Sequence, residues 1–272
     1  MNLNEIYIRD PFILPYKGVY YLYGKTSEDS LEFVVYKSFD LKKWSEPICV
    51  FRRTKDFWAT KEFWAPEVHI YNNQFYMFAS FSSETHCRGT QILRADTPEG
   101  PFVPVSEFAQ TPREWECLDG TLYVGRDGVP YMVFCHEWTQ IQNGTICFAR
   151  LSSNLTKFET APKEMFRAKD FDFVISMEPG RDSYVTDGPF LYRNEAGELR
   201  LMWSSFGEQG YFINELKSDN GEIDGNWSSA GMIYEQNGGH AMTFCTFEGK
   251  RKIVFHTPNA PAGAERAVIL DL

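Results

Sequence analysis

The sequence predicts an all-β fold, a single five-bladed β-propeller that spans residues 1–272. Three observations lead to this prediction. Short apolar runs joined by hairpin-type turns recur along the chain, aromatic residues make up 16% of it, which favours strands, and little sequence remains for helices. Two β domains are the alternative at this length, but the even spacing of the repeats disfavours them.

Five similar phrases open the repeats, and each is followed by a turn and a second apolar run. The phrases are RDPFI from Arg9, PEVHIY from Pro66, LDGTLYV from Leu118, TDGPFLY from Thr186 and GHAMTFC from Gly239. A third strand is predicted in most repeats, at 31–38, 89–96, 144–151 and 210–218. Repeats of about fifty residues with up to four strands are typical of propeller blades. Residues 265–272 are expected to pair into the first blade and close the ring.

Charge and chain pattern disfavour several classes of partner. The formal net charge is −10, which argues against nucleic acid or an anionic membrane as a partner. No run approaches the ~18 apolar residues of a membrane span. The first residues, MNLNEIYIRDPF, lack the basic region and apolar run of an export signal, so a cytoplasmic location is expected.

The heads of the five repeats carry ionisable side chains that are suited to catalysis or to cation binding. In a propeller the first strand of each blade lines the central channel, so residues in register are expected to converge there. The five heads are Asp10, Glu67, Asp119, Asp187 and His240. Such a cluster is costly because of desolvation and like-charge repulsion, which favours a functional site. Taken singly, each residue is equally well explained by a turn, a strand end or a loop.

With these heads in place, the chain resembles glycoside hydrolase family 43, five-bladed propellers that act on arabinofuranosides, β-xylosides and related sugars. Four motifs in chain order carry the resemblance: RDP at 9–11, WAPE at 64–67, LDG at 118–120 and GGH at 238–240. The resemblance implies that Asp10 is the general base and that Asp119 tunes and orients the acid. It also implies that His240 lies beside a water or cation on the axis. No cofactor is required, and a structural calcium or other cation is compatible with His240.

The fourth motif departs from the family pattern. The family usually has Glu-Gly-Pro with the glutamate as general acid, whereas this chain has Asp187-Gly188-Pro189. The shorter side chain matters because a misplacement of about 1 Å can cost ~10²-fold in rate. Asp187 is nevertheless assigned as the acid. Three other carboxylates remain alternatives: Glu67, Glu137 and Glu178, of which the last two are equally explained by plain salt bridges.

Further substrate contacts are predicted at the rim of the channel. Arg9 and Arg181 are candidates for hydrogen bonds to sugar hydroxyls, although a loop salt bridge also explains Arg181. Aromatic candidates for stacking on a sugar are Trp58, Phe63, Trp64 and Trp138. Blade packing is an equally good explanation for each of these rings.

These residues lead to the prediction of an inverting, exo-acting glycoside hydrolase that acts on small oligosaccharides. An α-L-arabinofuranoside is the first candidate substrate, followed by a β-D-xyloside and a β-D-galactofuranoside. An inverting mechanism requires base and acid carboxyls roughly 6.5–9.5 Å apart. The alternatives are a phosphorolytic relative, a non-catalytic sugar-binding propeller with a degenerate acid position, and a protein-interaction propeller.

Overall fold

Five antiparallel sheets make up the computed structural model, which describes residues 1–272, and they are arranged as the blades of a β-propeller. The first blade contains β1 (Phe12–Tyr16), β2 (Val19–Gly24), β3 (Glu32–Ser38) and β4 (Ile48–Arg52). The second contains β5 (Lys61–Tyr71), β6 (Gln74–Ser82), β7 (Gly89–Ala95) and β8 (Val103–Pro104). The third contains β9 (Cys117–Val124), β10 (Pro130–His136), β11 (Thr145–Arg150) and β12 (Lys163–Arg167). This confirms the predicted fold class.

The last two blades follow the same plan. The fourth contains β13 (Asp187–Arg193), β14 (Leu199–Gly207), β15 (Gly210–Ser218) and β16 (Trp227–Tyr234), and the fifth contains β17 (Gly239–Cys245), β18 (Arg251–Thr257) and β19 (Arg266–Asp271). Helix is confined to one short α-helix, α1 (Trp138–Ile141), and two 3₁₀ turns, Leu3–Glu5 and Ala168–Asp170. No helix is long and apolar enough to cross a bilayer.

Hairpins join consecutive strands within each blade, as the turn residues predict. Between β1 and β2, Lys17 and Gly18 both have positive φ, and Tyr16 pairs directly with Val19. Asn72 and Asn73 form the same kind of two-residue turn in the second blade. This turn type suits the right-handed twist of the strands that it joins. Strand order therefore follows chain order in every sheet.

The five first strands surround the central channel. Each contacts the first strand of the next blade, and β17 contacts β1 to complete the circle. The prediction that the repeat heads meet at the channel depends on this arrangement. Functional side chains at the start of β1, β9, β13 and β17 are thereby brought to one end of the channel.

The ring does not close in the predicted way. Residues 266–271 form β19, which pairs with β18 as the third strand of the fifth blade, so the expected pairing with the first blade is wrong. The N-terminal segment closes the ring instead: the Ile8 N–H donates to the Glu265 carbonyl at 3.3 Å, and Arg266 Nε donates to the Asn4 carbonyl at 3.2 Å. The isolated pairing of Asn2 with Lys43 ties the same segment to the first blade.

A left-handed residue lies just before each first strand or within its first five residues, and its position corrects the predicted register. These residues are Asp10 (φ 53°), Ala65 (φ 47°), Asp119 (φ 54°), Gly188 (φ 51°) and His240 (φ 55°). Glu67 therefore lies two residues beyond the equivalent position in its blade, and Asp187 one residue before it. The sequence register fails in these blades because it aligns the charged side chains, whereas the left-handed residue is Ala65 in the second blade and Gly188 in the fourth.

Candidate active site

A cavity of about 320 Å³ lies at the end of the channel where the first strands begin. Its lining includes eight of the predicted site residues: Arg9, Asp10, Trp64, Asp119, Glu137, Trp138, Asp187 and His240. Residues that the sequence analysis missed also line it, among them Glu28, Met177, Tyr211 and Asn259. The structure thus brings together four of the five repeat heads in one cavity.

Asp10 is surrounded by nitrogen atoms. Its Oδ1 lies 3.1 Å from His240 Nδ1 and 3.2 Å from His256 Nδ1, and its Oδ2 lies 3.9 Å from Arg9 Nε. Burial opposes ionisation of this carboxyl. The two histidines and the guanidinium outweigh burial and hold the pKa of Asp10 well below its usual range. Asp10 is therefore a carboxylate at neutral pH.

The pKa of Asp187 is shifted in the opposite direction from that of Asp10. Burial, together with the negative charge of Asp119, raises the pKa of Asp187 to about 8. The Tyr211 hydroxyl donates to Asp187 Oδ2 at 3.0 Å and orients the side chain. Asp187 is therefore mostly protonated at pH 7 and has a proton to give. Two carboxyl groups in one cavity with pKa values on either side of neutrality are the usual mark of an acid/base pair.

Asp119 connects the fourth blade with the axis. Its Oδ2 accepts the Gly188 N–H at 2.9 Å and lies 3.6 Å from His240 Nδ1. Burial raises the pKa of Asp119 to about 6, with further contributions from neighbouring carboxylates. Because Gly188 directly follows Asp187, this hydrogen bond fixes the backbone next to the raised carboxyl.

His240 supplies positive charge at the centre of the cluster. Burial alone would lower its pKa, but Asp10 and Asp119 raise the pKa of His240 to about 10. No group of three His, Cys, Asp or Glu side chains is placed to hold a metal ion. A cation beside His240 stays a prediction.

The backbone of the left-handed heads is held by side chains of the preceding blade. The Asp119 N–H donates to Ser80 Oγ at 2.9 Å, and the His240 N–H donates to Ser204 Oγ at 2.8 Å. The Asp10 N–H lies 3.3 Å from His256 Nδ1. Since left-handed backbone is costly for residues other than glycine, these contacts help to fix the side chains that line the cavity.

One wall of the cavity is built around Arg88. Its guanidinium lies 4.4 Å from the centre of the Trp64 ring, forms an ion pair with Glu137 and donates from Nε to Glu62 at 2.9 Å. Burial raises the pKa of Glu137, against the effect of Arg88. Trp64 and Glu137 are thereby presented to the cavity in a fixed geometry, and Trp138 follows at the start of α1.

The remaining candidates lie elsewhere. Phe63 is only 1% exposed and packs between Phe33 and Phe81, so it does not fit the predicted sugar contact: its ring fills the core between blades. Trp58 lines a separate cavity of about 210 Å³ and donates from Nε1 to Gln91 at 2.6 Å.

Three charged candidates are engaged with other side chains. Glu67 is buried and lies 2.9 Å from His69 Nε2, next to the cavity without lining it. Arg181 and Glu178 form an exposed ion pair at 2.9 Å in a neighbouring depression. The depression shares Trp138 with the cavity.

The missed residues share one property: none lies in a repeat head. Tyr211 is the second residue of the third strand of its blade, His256 lies in a second strand, and Asn259 follows β18. Tyr211 and Asn259 line the cavity, and His256 lies behind Asp10. The only available signal is the position of Tyr211 and His256 near the end of a predicted strand, which many other residues share.

The comparisons agree with this geometry. The family model described as Glycosyl hydrolases family 43 matches residues 5–271. The endo-arabinase of Bacteroides thetaiotaomicron VPI-5482 is 38% identical, with a TM-score of 0.94 over 100% of this chain and 96% of that one.

Two more distant structures share the fold. An α-L-arabinofuranosidase from Lactobacillus brevis superposes with a TM-score of 0.78 at 15% identity, covering 100% of this chain and 94% of that one. An endo-1,4-β-xylanase from Bacteroides thetaiotaomicron VPI-5482 has a TM-score of 0.79 at 24% identity, covering 99% and 91%. Comparison with curated protein sequences gives no match. The match along nearly the whole sequence shows that the chain belongs to glycosyl hydrolases family 43 and is a glycoside hydrolase.

Proposed function

We propose that the enzyme hydrolyses α-L-arabinofuranosyl bonds with inversion at the anomeric carbon, releasing one sugar unit at a time. The observation that carries the acid/base assignment is the contrast between ionised Asp10 and protonated Asp187 in one cavity. The arabinofuranosyl substrate is supported by the 38% identical endo-arabinase.

In this mechanism Asp10 accepts a proton from a water on one face of the sugar while Asp187 protonates the leaving oxygen from the other. The water oxygen forms the new bond to the anomeric carbon as the glycosidic bond breaks. Asp119 keeps the proton on Asp187 through its negative charge and fixes the neighbouring backbone through Gly188. Tyr211 orients the Asp187 carboxyl.

The size of the cavity supports exo action. About 320 Å³ is at the small end of the roughly 300–1,000 Å³ typical of ligand pockets, which suits one or two sugar units. Internal cleavage of a polymer is the second candidate, favoured by the similarity to an endo-arabinase and by the adjoining depression beyond Trp138. Product analysis on linear arabino-oligosaccharides separates the two, because exo action yields only one short product from the start.

The acid and base roles are tested with two substrates that differ in leaving group. Asp10→Asn is expected to lose activity about 10²–10⁴-fold on both an aryl α-L-arabinofuranoside and an arabinobiose, because both need the base. Asp187→Asn is expected to lose far more on the arabinobiose, since a good aryl leaving group needs little protonation.

Controls separate the proposed acid from its alternatives. Asp56→Asn changes an exposed carboxylate outside the cavity and should behave like the wild type. Glu67→Gln, Glu137→Gln and Glu178→Gln test the other three candidate acids. If any of these variants shows the leaving-group dependence instead, the role of Asp187 is wrong. Binding of arabinose oligomers without turnover would favour a sugar-binding propeller, and activity confined to β-D-xylosides would overturn the proposed substrate.

A further inference from the structure

A hydrogen-bonded chain runs behind Asp10 from the fifth blade. His256 is fully buried in β18, and its Nδ1 lies 3.3 Å from the Asp10 nitrogen and 3.2 Å from Asp10 Oδ1. Its Nε2 lies 3.1 Å from Asn259 Oδ1. The imidazole also stacks on the Tyr211 ring, at 5.9 Å between centroids and 22° between planes. His256 does not line the cavity, so any effect on the reaction passes through the residues that it holds.

The neighbours fix the tautomer of His256. Arg9 donates from Nη2 to Asn259 Oδ1 at 2.9 Å, and because arginine can only donate, the amide oxygen must face this way. His256 Nε2 therefore carries a hydrogen and donates to the same oxygen. The remaining nitrogen, Nδ1, is left for Asp10. When unprotonated it accepts the Asp10 N–H, and when protonated it donates to the carboxylate.

The other blades show what is special about this histidine. The equivalent backbone N–H of Asp119 is held by Ser80 in β6, and that of His240 by Ser204 in β14. Both serines lie on the second strand of the preceding blade, as His256 does. A hydroxyl is therefore sufficient to hold the left-handed backbone. The imidazole adds two contacts that a serine cannot make, one to the Asp10 carboxyl and one to Asn259.

We propose that His256 is a positioning residue for the general base. Through Nδ1 it holds Asp10, by accepting the backbone N–H when unprotonated or by donating to the carboxylate when protonated, and through Nε2 and Asn259 it ties Asp10 to Arg9 in the cavity wall. This inference rests on the proposed role of Asp10. Arg9 is held in turn by Glu265, whose Oε1 accepts from Nη1 at 3.0 Å. Asp10 is thus held by residues that include His256, which does not line the cavity.

Other charged groups also act on the Asp10 carboxyl and set the background for any pH measurement. They are His240, Arg9, Lys25, Asp119 and Tyr211. Two of these groups are themselves held by His256: Arg9 through Asn259, and Tyr211 through the stacked ring. A shift in the ionisation of Asp10 in a His256 variant therefore reports the loss of the imidazole together with its effect on these two neighbours.

The test compares His256→Ser with His256→Asn. The serine reproduces the backbone support of the other two blades but loses both extra contacts, so kcat is expected to fall about 10–100-fold with little change in KM, a size typical of a displaced reacting group. The acidic limb of kcat/KM should move to higher pH, because a contact that favours ionised Asp10 is gone. The asparagine places a polar atom where Nδ1 was and should recover much of kcat. The basic limb should stay in place in both variants.

The matched control is His86→Asn, which changes a half-buried histidine that stacks on Phe108 outside the active-site cavity. It should leave kcat and both limbs unchanged. The inference is overturned if His256→Ser keeps wild-type kcat and acidic limb while Asp10→Asn is inactive. It is also overturned if serine and asparagine lower kcat equally, with unmoved limbs and a lower melting temperature, since that indicates structural support alone. Retained activity in Asp10→Asn would instead remove the proposed base itself.

Discussion

At pH 7 the Asp10 and Asp187 carboxyls of the same cavity differ in charge. Nitrogen donors surround the first, whereas burial and a neighbouring carboxylate act on the second. The family's usual glutamate is replaced by the shorter Asp187, and the Tyr211 hydroxyl at 3.0 Å gives this side chain a defined direction. The protonation state that an acid needs is therefore set by the surroundings and does not depend on the length of the side chain.

The pH profile of the wild type follows from these two groups. Because the pKa of Asp187 is raised to about 8, activity should fall as the pH rises through about 8 and the acid loses its proton. Because the pKa of Asp10 is held well below its usual range, the base stays ionised and activity should persist into the acid range. Measurement of kcat/KM against pH checks both limbs. A basic limb unchanged in Asp187→Asn, on a substrate with a good leaving group, would contradict the assignment.

At the scale of the strand, the start of β13 is closely packed against the fifth blade. Gly188 has φ +51°, and a Cβ placed there would lie 2.9 Å from Cγ of His240. The glycine thus allows the fourth and fifth blades to approach each other closely, with its N–H still bonded to Asp119. A side chain at this position would disturb the imidazole that balances the charge of the cluster.

Gly188→Ala is expected to cost about 1–3 kcal/mol in the free energy of unfolding, from backbone strain and overpacking, and to lower kcat as His240 moves. Gly197→Ala is the matched control, because Gly197 also has positive φ (+77°) but has no atom within 4 Å of the added Cβ. Chemical denaturation and kcat of both variants check this. Equal losses of stability with unchanged kcat would show that the contact with His240 is unimportant.

The strands also show which residues of the site could be predicted from the sequence. Asp10, Asp119, Asp187 and His240 were found because each belongs to a short motif at the head of a repeat. The aromatic candidates were less predictable, since Phe63 in the core and Trp64 at the cavity are neighbours of similar character in the sequence. Tyr211, His256 and Asn259 reach the site from strand ends and a connecting segment, where no local pattern marks them.

At the scale of the whole molecule, ring closure was the part of the fold that the sequence analysis placed wrongly. An apolar strand at 265–272 suits either the first or the fifth blade, and the alternation of its residues is the same in both. The choice depends on long-range contacts, namely the Ile8 N–H on the Glu265 carbonyl and Arg9 on the buried Glu265 carboxylate. Such contacts leave no signature within either segment.

Glu265→Gln is expected to destabilise the protein by about 2–3 kcal/mol, because it removes the fully buried carboxylate that pairs with Arg9. The cost is below the ~3–5 kcal/mol of a fully buried pair because Arg9 is partly exposed and retains Asp10 nearby. Activity should fall as well, since Arg9 lines the cavity. Asp271→Asn breaks the ion pair with Lys252, in which Asp271 is exposed, and should change stability by less than about 1 kcal/mol. Thermal unfolding of the two variants checks the difference, and equal effects would show that the Arg9 pair does not help to close the ring.

This mode of closure has a consequence for biosynthesis. The proposed base, Asp10, is translated before the first blade, whereas His256, Asn259 and Glu265, which hold it and Arg9, are translated after the first four blades. On the ribosome, the contacts that close the ring at the first blade cannot form until these residues have been synthesised. A nascent chain stopped before residue 256 would carry every proposed catalytic carboxyl and still lack the braced base, so the appearance of activity reports that synthesis has passed the fifth blade.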